Sequence, residues 1–205
     1  MFTKAYIHKH IHTYTHINTH NPNITYIHIY TLILILTSTS LSLLSLSQVN
    51  ALCWSPDGKL LASCSDDKTA KIWSMESGLV FDLVGHTKEI YTLRWVPATE
   101  TNPQLVCTAS FDGSVKVWDS VTGLERFTLR RQAQPVYSIS PSPSAEFLAM
   151  GSLGGYVSLW NLKDGTLHKE FRGSGDTFDV SWSTDGSMLC SCFSSGTLCI
   201  VDTTR

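Results

Sequence analysis

Short apolar runs separated by turn-forming residues recur along the chain from residue 49 onward. The first runs are residues 49–54, 60–65, 70–73 and 79–84, and no apolar stripe of helical spacing competes with them. The phrase Ser55-Pro56-Asp57-Gly58 lies between two runs, where proline and glycine set the backbone angles of a tight turn. This pattern predicts four short strands joined by turns.

The same group of strands recurs every 40–45 residues or so, a repeat length typical of propeller blades. One phrase occurs in four versions, which are Lys71-Ile72-Trp73-Ser74, Lys116-Val117-Trp118-Asp119, Ser158-Leu159-Trp160-Asn161 and Cys199-Ile200-Val201-Asp202. A repeat with four strands indicates a β-propeller, in which each group of strands forms one sheet, or blade. We therefore predict an all-β fold with nearly four blades, at about residues 49–84, 85–129, 130–172 and 173–205, the last lacking its outer strand.

Several phrases resemble WD repeats, whose hallmarks are a Gly-His pair before the first strand and a Trp-Asp pair ending the third. Gly85-His86 and Trp118-Asp119 bracket the best copy. More specific phrases are LASCSDD at 61–67, HTKEIYT at 86–92, ASFD at 109–112 and the insertion Thr101-Asn102-Pro103. Together they are similar to the C-terminal blades of the transducin-β-like (F-box-like/WD repeat) corepressor family, including its plant relatives, over about residues 49–205.

The resemblance implies the second half of an eight-bladed ring, preceded in the family by an oligomerising N-terminal region. It also implies a nuclear, non-enzymatic scaffold that brings histone deacetylase–corepressor complexes to chromatin and contacts histone tails. The alternatives are a WD-repeat adaptor or ubiquitin-ligase substrate receptor in another complex, and a membrane-anchored protein that uses residues 27–46. Open ends of such a half ring would expose strand edges and apolar faces, so we expect the isolated chain to be marginal, to aggregate or to self-associate.

The best copy contains the three residue types of a hydrolase triad, His86, Ser110 and Asp112. The sequence shows no nucleophile elbow or oxyanion hole, so we expect no catalysis by them. The resemblance to WD repeats implies instead that His86, Ser110, Asp112 and Trp118 form a buried structural tetrad. The chemistry is consistent, because a carboxylate, an imidazole, a hydroxyl and an indole N–H can satisfy one another.

The other repeats retain only parts of this tetrad. The first keeps Ser65, Asp67 and Trp73, and the third keeps Ser152 and Trp160. The replacements at the tetrad positions are Gln132 and Gly154 in the third repeat, and Ser174, Ser195 and Val201 in the last. We therefore expect blades three and four to be held mainly by apolar packing.

Composition narrows the possible partners. The formal net charge is −2, and no basic stripe with aromatic platforms is present, so we expect no direct binding of nucleic acid. The six cysteines form no Cys-x-x-Cys pair, and no phosphate loop or paired-carboxylate motif occurs, so no metal, cofactor or enzymatic activity is predicted. Propellers usually bind proteins through loops at one rim, and the loops before Tyr91, Tyr137 and Phe178 are the candidate region.

Residues 1–48 differ from the rest, with no acidic residue and six of the eight histidines. His8, His10 and His12 would share one face of a strand and could hold a metal, and the uncharged residues 27–46 could pass for a signal or a weak membrane span. The mixture of Thr, Tyr, Ile and His is also what a repeated ACAT would encode in its successive frames. We favour translated non-coding sequence, or else a disordered segment, joined near Val49, and expect no membrane span. Sequencing of transcripts across the Gln48–Val49 junction tests this hypothesis.

Overall fold

The computed structural model describes residues 47–74, 76–99, 104–131 and 133–203. The described residues form β-strands joined by turns and loops, in agreement with the predicted all-β fold. The predictions for the histidines and the uncharged run of residues 1–46, for the insertion at 101–103 and for Gln132 lie outside the described residues. None of the described residues forms a helix long and apolar enough to cross a membrane.

Fifteen strands occur in the described ranges, and every sheet neighbour is also a neighbour in sequence. The strands are β1 (Val49–Trp54), β2 (Leu60–Ser65), β3 (Thr69–Ser74), β4 (Gly78–Val84), β5 (Ile90–Trp95), β6 (Leu105–Ser110), β7 (Val115–Asp119), β8 (Glu125–Leu129), β9 (Val136–Pro141), β10 (Phe147–Ser152), β11 (Tyr156–Asn161), β12 (Leu167–Arg172), β13 (Thr177–Trp182), β14 (Met188–Phe193) and β15 (Leu198–Asp202). Sheet one is β1–β4, sheet two β5–β8, sheet three β9–β12, and sheet four β13–β15, all antiparallel. The prediction of four repeat-built sheets is confirmed.

Apolar side chains pack between each sheet and the next. Ile72, Leu93 and Trp95 are buried between sheets one and two, and Val180 and Leu189 are buried between sheets three and four. The layer between sheets two and three includes Leu105, Val115, Val117, Ile139 and Leu148. A middle sheet is therefore covered on both faces, which explains why its strands read as continuous apolar runs instead of alternating ones.

The first strands of the four sheets, β1, β5, β9 and β13, lie side by side along the chain of sheets. Two indole groups join them: Trp95 Nε1 donates to the Cys53 carbonyl oxygen at 2.8 Å, and Trp182 Nε1 donates to the Ser140 carbonyl oxygen at 2.9 Å. Pro141 occupies the tryptophan position of sheet three and ends β9 there. The same contact thus ties sheet two to sheet one and sheet four to sheet three.

The up-and-down order of the strands gives the sheets two distinct rims. Each first strand begins, and each second strand ends, at what we call the upper rim, so the loop residues 85–89, 111–114, 130–131, 133–135, 153–155 and 173–176 meet there. The turns at 55–59, 120–124, 162–166 and 183–187 lie at the opposite, lower rim. All of the candidate partner-binding loops therefore lie on one side of the molecule.

Candidate functional site

His86 lies in the loop that connects sheet one to sheet two, and its side chain is completely buried. Its Nδ1 is 2.9 Å from Asp112 Oδ2, and its Nε2 is 2.8 Å from Thr108 Oγ1. Trp118 Nε1 donates to the same Thr108 oxygen at 2.9 Å. The result is a continuous hydrogen-bonded chain from Trp118 through Thr108 and His86 to Asp112.

The directions of these hydrogen bonds follow from the Asp112 carboxylate, which can only accept, and from the indole, which can only donate. His86 therefore carries a proton on Nδ1 and donates it to Asp112. Nε2 of a neutral His86 is an acceptor, so Thr108 Oγ1 accepts from Trp118 and donates to His86 Nε2. Burial lowers the pKa of His86 below its usual 6.5, although the Asp112 carboxylate acts in the opposite direction, and a neutral imidazole agrees with this lowering.

Asp112, in the turn between β6 and β7, is the acceptor at the end of this chain. Burial raises its pKa, but hydrogen bonds from Ser114, from the Thr87 backbone N–H and from His86 outweigh that effect and lower the pKa to about 2. The Ser114 backbone N–H donates to Oδ1 at 2.9 Å, and the Thr87 N–H donates to Oδ2 at 3.0 Å. An ionised Asp112 therefore fixes both the loop between the sheets and the β6–β7 turn.

The free energy of unfolding is expected to fall in two steps as the pH is lowered. The folded pKa of His86 lies below the unfolded value of 6.5, so the unfolded chain binds the proton first and stability declines as pH falls through 6.5. The folded pKa of Asp112 is about 2 against 3.8, so a further loss follows below about pH 4. Urea unfolding at pH 7, 5 and 3 measures both steps. A stability that is constant from pH 7 to 5 would contradict the buried neutral His86.

The predicted tetrad is wrong in one member, because Thr108 and not Ser110 links His86 to Trp118. Trp118 pairs with Val106 on β6, and Thr108 is the diagonal neighbour two residues along on the same face. Ser110 lies four residues along, about 13 Å from the paired position, beyond the reach of the indole. It donates instead to the Glu89 carbonyl oxygen at 2.8 Å. Ser110 and His86 therefore form no nucleophile–base pair.

The partial network of sheet one needs the same correction. Trp73 Nε1 donates to Ser63 Oγ at 3.0 Å, and Trp73 pairs with Leu61, so Ser63 is again the diagonal neighbour. Ser65 accepts from the Asp67 backbone N–H at 3.2 Å. Both Ser65 and Asp67 thus stabilise the β2–β3 turn. Ser63, which accepts the hydrogen bond from Trp73, was not selected by sequence analysis.

The tryptophan–hydroxyl hydrogen bond of sheets one and two is incomplete in sheets three and four, each of which has only one of the two residues. Trp160 and Ser191 occupy the tryptophan and hydroxyl positions, but Met150 replaces the hydroxyl in sheet three and Val201 replaces the tryptophan in sheet four. Among the described residues, Trp160 Nε1 and Ser191 Oγ are the buried side-chain atoms that lack a hydrogen-bond partner. Ser152 contacts the Tyr156 carbonyl oxygen at 3.5 Å and does not reach Trp160. Gly154 donates its N–H to Asp176 at 2.8 Å.

Removing the same hydroxyl from two sheets should have opposite effects on stability. Ser63→Ala is expected to lower the free energy of unfolding by about 1–2 kcal/mol, because it leaves the buried Trp73 N–H without an acceptor. Ser191→Ala removes a buried hydroxyl that has no partner, so the unfolding free energy should stay the same or rise by up to about 1 kcal/mol. Parallel urea titrations measure the difference, and equal losses in both variants would contradict the assignment.

A second cluster lies on the upper rim and consists of aromatic rings. Tyr91 and Tyr137 have ring centroids 4.8 Å apart, and Phe111 is 5.5 Å from Tyr91 and 5.6 Å from Tyr137. Phe178 continues the row, 6.5 Å from Tyr137, with 53% of its surface exposed. We call these four residues the aromatic surface. Burial, followed by the neighbouring Tyr137, raises the pKa of Tyr91, so the Tyr91 hydroxyl stays neutral at physiological pH.

A shallow depression of about 330 Å³ adjoins the aromatic surface. Its lining residues are Lys88, Glu89, Phe111, Pro135, Tyr137 and Leu153. Sequence analysis selected the loops that precede Tyr91, Tyr137 and Phe178 as the candidate binding region. Each of these three residues is the second residue of a first strand, directly after such a loop. Phe111 was not selected, because it follows a second strand and joins the others only through the fold.

Consecutive antiparallel sheets of this kind, packed face to face with their first strands side by side, are blades of a propeller-type repeat scaffold. The chain belongs to the WD40 repeat family, since the family model described as WD domain, G-beta repeat matches residues 38–74, 77–119, 123–161 and 165–202. Each of the last three matches covers the outer strand of one sheet and three strands of the next. WD40 domains are interaction scaffolds that typically have no enzymatic activity.

Curated relatives share the repeat over most of this chain. It is 43% identical over 161 residues to the WD40 repeat-containing protein HOS15 of Arabidopsis thaliana, covering 76% of this chain and 26% of that protein. It is 29% identical to the COMPASS component SWD3 of Saccharomyces cerevisiae, over 67% of this chain and 41% of SWD3. It is also 29% identical to Topless-related protein 1 of Arabidopsis thaliana, over 70% of this chain and 13% of that protein. The chain thus spans less than half the length of these relatives.

Proposed function

We propose that this chain is part of a nuclear transcriptional corepressor subunit that acts with histone deacetylase complexes on chromatin. Two observations support the proposal: the sequence phrases shared with the transducin-β-like corepressor family, and the 43% identity with HOS15. In this proposal the chain has no catalytic role. It contributes a rigid surface that holds another protein in the complex, and by resemblance to the corepressor family it contacts histone tails.

The aromatic surface supports the upper rim as the site where the partner protein binds. Aromatic side chains supply large contact areas at a low cost in conformational entropy, and they dominate the energetics of protein interfaces. Tyr91, Phe111 and Tyr137 are half-buried, so their positions are fixed by packing before any partner arrives. Phe178 is exposed, and Lys88 and Glu89 add charged groups beside the depression.

Affinity purification from nuclear extract tests both parts of the proposal. The wild-type chain should retain histone deacetylase activity, and the double variant Tyr91→Ala/Phe178→Ala should retain about thirtyfold less, which corresponds to the loss of one hot-spot contact of about 2 kcal/mol. Val121→Ala is the matched control, since Val121 is 72% exposed and lies on the lower rim. Melting curves verify that all three proteins are folded at the temperature of the experiment.

The two parts of the proposal fail in different ways. A wild-type chain that retains no deacetylase activity would refute the corepressor role. A double variant that retains as much activity as wild type would refute the aromatic surface as the contact, while leaving the corepressor role in place.

A WD-repeat adaptor in a different chromatin assembly is the second candidate. The relative from Saccharomyces cerevisiae is by its name a component of COMPASS, and this chain covers a larger share of it than of HOS15. Mass spectrometry of the same purified material distinguishes the two candidates. Recovery of subunits of another assembly, without a deacetylase, would favour the adaptor.

A further inference from the structure

The depression beside the aromatic surface lies where sheets two and three meet, and its walls come from repeating positions of the two sheets. Phe111 directly follows β6, as Leu153 directly follows β10. Glu89 directly precedes β5, as Pro135 directly precedes β9, and Tyr137 is the second residue of β9. The corresponding positions of the other two sheets can therefore be compared with these walls one by one.

The wall position that follows a second strand is polar in the first and last sheets. It holds Asp66 in sheet one and Ser194 in sheet four. Asn50 takes the place of the aromatic ring in sheet one, and its Nδ2 donates to Asp66 Oδ1 at 2.6 Å. Asp176 precedes β13, and its backbone N–H donates to Ser194 Oγ at 2.8 Å. Among the described residues, this wall position is thus apolar only in sheets two and three, with polar groups on either side.

Backbone groups in the walls of the depression already have partners. The Phe111 N–H donates to the Glu89 carbonyl oxygen at 3.0 Å, and the Leu153 N–H donates to the Pro135 carbonyl oxygen at 3.0 Å. Pro135 has no N–H of its own to donate. A partner that adds a strand to a sheet gains its affinity from free main-chain groups, and these four are occupied. A side chain of the partner is therefore the group that fits this depression.

The spacing of the rings and the charges of the walls both disfavour a cationic side chain. An aromatic cage surrounds an ammonium group with rings that each lie within about 6 Å of it. Tyr91, Phe111 and Tyr137 instead pack on one another, with centroids 4.8–5.6 Å apart, which is the contact distance of aromatic pairs and leaves no space between them. Lys88 and Glu89 both line the depression, so their charges offset each other for an incoming charge of either sign.

We propose that this depression holds one uncharged apolar side chain, such as leucine, from the protein that binds at the upper rim. The identity of that protein rests on the proposed function, and the chemistry of the contact is what is added here. A volume of about 330 Å³ lies at the lower end of the range for small-molecule pockets, which suits a single large side chain. Phe111, Pro135, Tyr137 and Leu153 supply its apolar contacts. A lysine of a histone tail is then bound elsewhere on the chain.

Titration of the full chain with N-acetyl-leucinamide is the first test, followed by NMR through the backbone amide signals of Phe111 and Tyr137. These signals should shift and saturate, with a dissociation constant of about 1–10 mM for so small a probe. N-acetyl-lysinamide and its trimethylated form should bind about tenfold more weakly, because a charged group loses its water on entering an apolar site.

Two leucine variants locate the binding of this probe. Leu153→Asp places a charge in the wall while keeping the backbone N–H that bonds to Pro135, and it should abolish the saturable shifts. Leu124→Asp is the matched control, since Leu124 is 67% exposed in a lower-rim turn, and it should bind the leucine probe like wild type. Leu153→Asn repeats the test if the first variant shows an altered circular dichroism spectrum.

The possible outcomes separate this inference from the proposed function. A wild-type chain without saturable shifts, a lysine probe that binds as tightly as the leucine probe, or unchanged binding in Leu153→Asp would overturn the apolar anchor site. These results do not depend on a deacetylase. A chain that binds the leucine probe but retains no deacetylase activity from nuclear extract would refute the corepressor role and leave the anchor site in place.

Discussion

Asp112→Ala is expected to lower the free energy of unfolding by about 3–5 kcal/mol, because several buried donors lose their acceptor and each unsatisfied buried group costs about 1–3 kcal/mol. The Asp112 side chain is 3% exposed and accepts from His86 Nδ1, from the backbone N–H groups of Thr87 and Ser114, and from the Ser114 hydroxyl. Alanine would leave these donors buried without an acceptor. Since whole domains are stable by about 5–15 kcal/mol, such a loss is a large share of the total.

An exposed turn aspartate provides the control for this measurement. Asp164 accepts from the Thr166 backbone N–H at 3.0 Å and from its hydroxyl at 2.6 Å, but water can replace it as the acceptor. Asp164→Ala should therefore change the urea midpoint much less than Asp112→Ala. Equal midpoints for the two variants would show that the buried network contributes little to the stability of the fold.

Thr108→Val should have the next largest effect, a loss of about 2–4 kcal/mol. Valine has nearly the shape of threonine, so the loss comes from two buried groups left without a partner, Trp118 Nε1 and His86 Nε2. Ser110→Ala should cost less, about 1–2 kcal/mol, because it removes contacts to the backbone of the upper rim.

Double-mutant cycles with Trp118→Phe decide which hydroxyl accepts the hydrogen bond from the Trp118 indole. Thr108→Val and Trp118→Phe remove the two ends of one hydrogen bond, so their effects should be coupled by more than about 0.5 kcal/mol. Ser110→Ala and Trp118→Phe share no hydrogen bond, and their effects should be additive within that margin. If Ser110→Ala were coupled to Trp118→Phe while Thr108→Val was additive with it, the predicted tetrad, in which Ser110 is the partner of Trp118, would be supported instead.

Periodicity was enough to predict the sheets, because every strand pairs with its neighbour in sequence and each repeat has its own turns. It was not enough to predict the hydrogen-bond partners within a blade. Thr108 and Ser110 lie on the same face of β6, and spacing alone does not say how far along the neighbouring strand the Trp118 indole reaches. A usable signal existed in the hydroxyl at the fourth position of a second strand, which recurs as Ser63, Thr108 and Ser191.

The aromatic surface illustrates the other limit of reading the sequence. Tyr91, Tyr137 and Phe178 occur at one repeating position, so their shared location on the upper rim follows from the repeat. Phe111 belongs to a turn between two other strands, and only the packing of sheet two against sheet three brings it to 5.6 Å from Tyr137. Contacts of that kind depend on how neighbouring blades are placed, which no local pattern encodes.

In the proposed function, the chain is a binding scaffold that contacts its partner at the upper rim, and the His86 network serves only to hold the fold. Hydrogen–deuterium exchange of the chain, alone and within the purified complex, tests this proposed contact most directly. Binding should slow exchange in peptides that cover Tyr91, Phe111, Tyr137 and Phe178, and should leave the lower-rim turns at 120–124 and 162–166 unchanged. Slower exchange confined to the lower rim, with none at the aromatic surface, would contradict it.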